Sequence, residues 1–463
     1  MLLFYKEKSR REDGQMLIFI SDLHFVDGTA GEHNPPTKAF EYFFDDVLSI
    51  ASKESNAIKE IKIVLLGDVF DLLRTEKWFS HSVNERPWGY DEINIEKHSQ
   101  GILEGILSHP ENSQTFRTIR DGVTSLKDRC QQFAQCRLES DPRLFYIPGN
   151  HDRLVNKYSS LRVEVCKCLG IPRQWHNPAD PFLHEHENLR YGVFARHGHE
   201  FDVFNYESGA SYTLPDYERV PIGDPITTEL VARLPYEVDL YLQSQGLPLE
   251  ERQPIKARLQ EIENVRPLGA VIEWLLYRVQ QEDEQIVREA IVYAVDKAVN
   301  LFNGLNYVKR WYERHDRWDN PIDEADKIQT FLFLLTKLRL STLNELLHLV
   351  EKVKGAGFFM KDDLREAAPR EFSQLDPRFR YVVYGHTHGP LVAALRSDPP
   401  LSGDSRPLEK VYLNTGTWRS RYYQASEDNS FMSWKNMTYV IFYREDERTG
   451  RKADFETWTG TLK

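Results

Sequence analysis

The chain has little sulfur: four cysteines and five methionines among 463 residues. Four cysteines (Cys130, Cys136, Cys166 and Cys168) are too few to staple so long a chain. With no export signal in view, reduced thiols in a cytoplasm are the expectation. Long apolar runs are also missing. The opening MLLFYKEKSRREDGQ turns charged before a signal-peptide core could form, and FLFLL (Phe331–Leu335) is only core-sized, so no membrane span is expected. Positive charge is in deficit: Lys and Arg number 59 against 71 Asp and Glu, a formal net charge of -12. That balance argues against a nucleic-acid or anionic-membrane binder, although a metal cluster can reverse the sign inside one cleft. There is no internal repeat and no low-complexity tract.

What is present is enough apolar material, 41%, for a sizeable core. The length suits two or three domains, or one large domain with insertions. Short apolar runs recur, each broken by glycine or a polar residue: MLIFISDLH, IKIVLLGDVFD, LFYIPGNHD, YGVFARHGHEFD and YVVYGHTH. They read as buried strands followed by loops. Between the first two, TKAFEYFFDDVLSIASKE has helical periodicity, which implies a parallel or mixed sheet covered by helices. Ligands of such sheets sit beyond the carboxyl ends of the strands.

Residues 206–375 read as a mainly helical insertion or subdomain, too long for a loop. Asp224-Pro225 reads as an N-cap with proline at the first helical position. Ile272, Leu275, Leu276 and Val279 form a helical stripe, as do Leu343, Leu346, Leu347 and Val350. Downstream of GDVFD stand Trp78, Phe79, Trp88 and Tyr90, either a cleft wall or ordinary surface packing. The tail returns to strand-like sequence in KVYLNTGTW and MTYVIFYRED.

The strand ends carry the chemistry. Asp22 and His24 are two apart and can point to one side of an extended chain. Asp68 follows Gly67 and could bridge two ions, or cap a helix. Asp71 reads as a hydrogen-bonding supporter or a helix-start residue. Asn150 offers a neutral oxygen donor, His151 a proton donor to a leaving oxygen, and Asp152 a carboxylate able to orient that imidazole. His197 and His199, then His386 and His388, complete the series. The HEH triplet His184–His186 reads as solvated surface, and Cys166 and Cys168 as structural residues on a helix.

The blocks D-x-H, G-D-x-x-D, G-N-H-D, H-G and G-H-T-H stand here in order, at Asp22/His24, Gly67–Asp71, Gly149–Asp152, His197-Gly198 and Gly385–His388. In this the chain resembles the calcineurin-like metallophosphoesterase superfamily. The resemblance covers Met16 to Asp202 and Tyr381 to about Arg444, and leaves out the helical insertion. It implies an α/β fold, a four-layer αββα sandwich of two mixed β-sheets, formed by residues 1–205 and 376–463. It implies two divalent transition-metal ions (Mn, Fe, Co, Ni or Zn). One would be held by Asp22, His24, Asp68 and His388, the other by Asp68, Asn150, His197 and His386. His197 rather than His199 follows from H-G in the family pattern. His151, with Asp152, would be catalytic.

The activity implied is hydrolysis of a small phosphoester by in-line attack of a metal-bridging hydroxide. A phosphodiester or pyrophosphate is favoured over a monoester, since an aromatic wall could contact a second group. A broad phosphomonoesterase, a nuclease and a non-catalytic scaffold with the same fold remain as alternatives. Nucleic acid is disfavoured as a partner by the acidic balance and by the want of a basic, aromatic-interleaved strip.

Overall fold

The structure is a computed structural model and describes residues 14–53, 58–133, 136, 138–209, 211–266, 270–282, 284–316, 323–337, 364–400, 407–425, 427, 430–443 and 455–462. The Leu343–Val350 stripe lies outside them. The first apolar run forms strand β1 (Gln15–Ile20), and its side chains alternate between two environments. Met16, Ile18 and Ile20 pack under helices, while Leu17 and Phe19 join a core that links two sheets. A helix at Thr37–Ala51 then returns the chain to β2 (Glu60–Leu66), which pairs parallel with β1. Strand β3 (Arg143–Ile147) continues that parallel pairing after two long helices, Glu92–Ser108 and Pro110–Gln131. The short apolar runs and the intervening helical stripe thus gave the right local elements.

Next come β4 (Glu185–Asn188), β5 (Val193–Arg196), β6 (Tyr381–Tyr384), β7 (Leu391–Asp398) and β8 (Leu408–Asn414). They form a sheet in the order β4-β5-β6-β8-β7, parallel at β5-β6-β8 and antiparallel at both edges. The other sheet is completed from the tail by β9 (Ser420–Gln424), β10 (Phe431–Phe442) and β11 (Phe455–Leu462), in the order β11-β10-β1-β2-β3 with β9 on β10. The protein is therefore mixed α/β with two mixed sheets. Leu17, Phe19, Val64, Leu66, Val440 and Phe442 of the first sheet share one buried apolar cluster with Val193, Ala195, Tyr381, Val383 and Leu413 of the second. Burial of this shared apolar surface, at about 25 cal/mol per Å², draws the two sheets together. The parallel strands β1, β2, β3, β5 and β6 all end near one place, and each carries one of the sequence blocks there.

Among the described residues between Leu214 and Gln374, helices predominate. Ile272, Leu275 and Leu276 are buried, with Val279 packed beside them, in a cluster of their own that also takes in Trp88 and Phe431. No described helix is long and apolar enough to cross a membrane. The insertion is tied to the rest of the chain by ion pairs buried on both sides. Arg74 and Arg419 share Glu263, at 4.0 and 3.2 Å, and Arg86 pairs with Glu229. Asp224 pairs with Arg153 at 2.6 Å, and this overturns its reading as an N-cap. The helix there runs Gly223–Ile226 with Ile222 at the cap, because a buried guanidinium claims the carboxylate.

The aromatic cluster after GDVFD is mostly interior, not a cleft wall. Trp78 is fully buried and its indole N–H donates to the Leu72 carbonyl at 2.7 Å. Phe79 packs on Tyr236 and under the Arg233 guanidinium, and Tyr90 alone is well exposed. Of the HEH triplet only Glu185 is exposed; its two histidines are not. His184 is buried and lies flat on Tyr217, ring centroids 3.5 Å apart, while His186 meets Phe145 and Phe19 edge-on. Long-range stacking, invisible in local polarity, decides both cases.

Candidate metal centre

Among the described residues, the non-glycine residues with positive φ are Asp22, His24, Asp68, His386 and His388, at 46° to 68°. A left-handed backbone costs about 1–3 kcal/mol at each such position and persists where the surroundings over-determine it. The surroundings here are specific. Beyond their strands, the β1 and β2 loops stay bonded to each other: the Asp22 N–H donates to the Gly67 carbonyl at 3.0 Å and the His24 N–H to the Asp68 carbonyl at 2.8 Å. The Gly385 N–H donates to the His197 carbonyl, and the His386 N–H to the Asp22 carboxylate at 3.0 Å. The YLNTGTW segment holds Asp22 from behind. Thr417 donates to its carbonyl at 2.7 Å, and Thr415 bonds Ser21, which in turn donates to its carboxylate.

These loops converge the side chains. His24 Nε2 lies 3.0 Å from His388 Nε2, 3.8 Å from Asp22 and 3.6 Å from Asp68 Oδ2. His388 Nε2 is 3.4 Å from Asp22, and His197 Nε2 is 3.2 Å from the same Asp68 Oδ2. One Asp68 oxygen thus stands between two histidine groups, while the other accepts the His151 N–H at 2.9 Å. Three groups with ligand-like spacing result: Asp22/His24/His388, Asp68/His197/His386 and His24/Asp68/His151. The second is where H-G pointed; His199 lies outside all three, 3.6 Å from Glu200.

The outer partners fix which nitrogens face inward. His24 Nδ1 bonds Asp71 at 3.0 Å and His197 Nδ1 bonds the Leu66 carbonyl at 3.0 Å, so each ring N–H is spent outward and each Nε2 lone pair points to the centre. His197 Nε2 and Asn150 Oδ1 are buried with no hydrogen-bond partner. The Asn150 amide N–H is already given to Asn205. Orphaned acceptors are costly unless a cation or donor satisfies them. The donor set is imidazole, carboxylate and amide oxygen without thiolate, which suits Mn, Fe, Co, Ni or Zn better than Ca or Mg. The residues present therefore fit two divalent ions.

Tilted rings separate this cluster from one other His/Glu group, His81/Glu85/His98. There the imidazoles lie parallel, 14° apart with centroids at 3.5 Å, so their in-plane lone pairs cannot meet on one ion. In the central cluster His197 and His386 are inclined by 74°, and His24 and His388 by 54°.

Electrostatics follow from burial among carboxylates. Without an ion, burial pulls His197 down, but Asp68 and Asp22 outweigh it and raise the imidazole to about 10, so a cation bound at Nε2 would displace a proton there. Burial dominates at His388 and His24 and lowers both. Asp68 is held well below the carboxylate range: the surrounding imidazoles of His197, His151 and His24 overcome its burial. His151 is raised, since Asp71 and Asp68 outweigh its burial.

One role differs from the sequence expectation, that of Asp152, while Asp71 is a hydrogen-bonding supporter as expected. Asp152 does not reach the His151 ring; its carboxylate accepts three backbone N–H groups, from Val69, Phe70 and Gly149, at 2.8–3.1 Å. Burial and the nearby Asp68 push it up to about 7. The imidazole of His151 stands instead 2.9 Å from Asp71 Oδ1, so Asp71 aligns both His24 and His151. Sequence reading also missed Asp202, 2.9 Å from His386 Nε2, and Asn205, which bonds both Asn150 and Asp202. Their signal was present in HGHEFDVFN, just past His197.

The glycines of the blocks are needed for close approach. A Cβ on Gly67 would lie 2.1 Å from His197 Nδ1, and φ there is +86°. Gly67→Ala is expected to displace the His197 ring and cut metal retention at least tenfold, read as metal per chain after dialysis against limiting chelator. No family model matches the chain, and no curated protein matches it.

Proposed function

We propose that the protein is a dinuclear metal-dependent phosphoesterase of the calcineurin-like kind, acting on a phosphodiester or pyrophosphate. The carrying observation is the coincidence of left-handed backbone with five of the seven expected ligands. The two sheets with a shared apolar core, and the helices on the far face of β1 and β2, support the four-layer αββα arrangement that this reading implies.

Asp22, His24, Asp68 and His388 would hold one ion, and Asp68, Asn150, His197 and His386 the other. When bound, such ions supply charge stabilisation to a phosphoryl group and lower the pKa of coordinated water. The chain's own residues then divide the remaining work. Water adds to phosphorus, the bond to the leaving oxygen breaks, and that oxygen takes up a proton. His151 is the group suited to give it: it stands beside the centre, and Asp71, 2.9 Å from its Nδ1, holds its orientation. Asp152 rigidifies the loop that presents Asn150 and His151.

His151→Ala is expected to lower kcat for a dialkyl phosphodiester, whose alkoxide needs a proton to leave, by about 10²–10⁴-fold in Mn²⁺ while the protein still retains two ions. The assay pairs turnover with metal stoichiometry. Undiminished kcat would remove His151 from the chemistry, and absence of any bound metal in the parent protein would remove the reading altogether.

A further inference from the structure

Strand β9 and the start of β10 form a hairpin beside the metal centre. Its register pairs Arg421 with Trp434 and Tyr423 with Met432. Side chains two apart, and cross-strand partners, share a face. One face of the hairpin, with Tyr422 and Phe431, packs on the insertion through Trp274 and Tyr277. The other face carries Arg421, Tyr423, Met432 and Trp434. Tyr423 and Trp434 lie flat on each other, 4.2 Å apart and 9° from parallel, and the Arg421 guanidinium sits 5.2 Å from the Tyr423 ring. Trp434 remains 40% exposed and Met432 53%. A stacked aromatic pair left open to solvent, with a cation at one end, is an uncommon way to leave apolar surface.

The cation end adjoins the site. Arg421 Nη1 is 2.7 Å from where a Cβ of Gly389 would stand, and Gly389 directly follows His388. The bridge from Val265 to Tyr422 brings Arg266 of the insertion to the same edge. From Arg421 to Tyr423 is two strand residues, about 7 Å. That is on the order of the reach from a nucleotide's phosphate to its base.

We propose that this Arg421–Tyr423–Trp434 ladder is a stacking platform for the base of a mononucleotide substrate, whose phosphoester lies at the metal centre beside Arg421 and Arg266. Any ring with a π-face can stack on tryptophan, and the guanidinium adds to it. The acidic chain favours a small nucleotide over a polymer, which would need an extended basic track. The inference rests on the phosphoesterase reading for the chemistry at phosphorus.

The test compares two esters with the same leaving group, p-nitrophenyl thymidine-5′-phosphate and ethyl p-nitrophenyl phosphate, on the full-length Mn²⁺-loaded protein. In each, water adds to phosphorus and p-nitrophenolate departs. Trp434→Ala and Tyr423→Ala should raise KM for the thymidine ester about 5- to 100-fold and leave the ethyl ester unchanged. Equal effects on both esters, or no effect on either, overturn the platform. Calorimetric binding of AMP to the same Mn²⁺-loaded protein and its Trp434→Ala variant decides the matter without turnover. Binding that weakens in the variant supports the platform; no binding by the parent, or binding indifferent to Trp434, overturns it. If neither ester is hydrolysed, the phosphoesterase reading fails and AMP still judges the platform. A ten-residue oligodeoxynucleotide that outcompetes AMP by more than tenfold would overturn the commitment to a mononucleotide.

Discussion

Asp68→Asn is expected to abolish hydrolysis of a generic phosphodiester, a loss of more than about 10²-fold, with metal content falling below two per chain. Groups that only orient metal ligands typically cost 10–100-fold when removed. Asp68 stands a step closer, because one carboxylate oxygen faces both His24 and His197. The amide keeps the size and can still accept the His151 N–H, so the fold should survive. What it loses is the negative charge shared by two histidine groups. Turnover of bis-p-nitrophenyl phosphate and metal analysis on one preparation check this. Parent-like turnover with two ions bound would show that Asp68 does not bridge.

Glu263→Gln should be the most destabilising single change in the insertion, by about 3–5 kcal/mol, because it leaves two buried guanidiniums short of a countercharge. Glu263 is buried and stands between Arg74 and Arg419, both also buried. Arg74 keeps Asp71 at 3.2 Å, but Arg419 has no other ion pair among the described residues. Urea unfolding of parent and variant measures the loss. A second readout separates a local from a global effect: Asp71 aligns His24 and His151, so a disturbed Arg74 should also lower kcat. A change under about 1 kcal/mol would mean that water or relaxation compensates the arginines.

Much of this was legible along the chain, for a physical reason. The strands β1, β2, β3, β5 and β6 are short, apolar and punctuated, and each ends on its chemistry. Local pattern therefore carried both element and site residue. The left-handed angles were not legible, except through the glycines that precede Asp68 and His386. Asp152 was misread because a carboxylate beside a histidine in sequence looks like its partner. In space its loop needed it for backbone N–H groups, and Asp71, 80 residues earlier, took the imidazole. The Glu263 network, the Tyr217 stack on His184 and the Arg153 claim on Asp224 all join segments far apart in sequence. No spacing rule reports such pairings; charge and π-faces find one another only after the helices pack.

The bond from the His386 N–H to Asp22 spans 364 positions. At a synthesis rate of about 5–20 residues per second, roughly 20–70 s separate the emergence of its two ends. Closing so long a loop comes late and is entropically costly. Over that interval a growing chain carries Asp22, His24 and Asp68 with no partner histidines from β6. The centre can close only once β6 has been made and has joined β5, so a chain that stops short of β6 has no assembled centre.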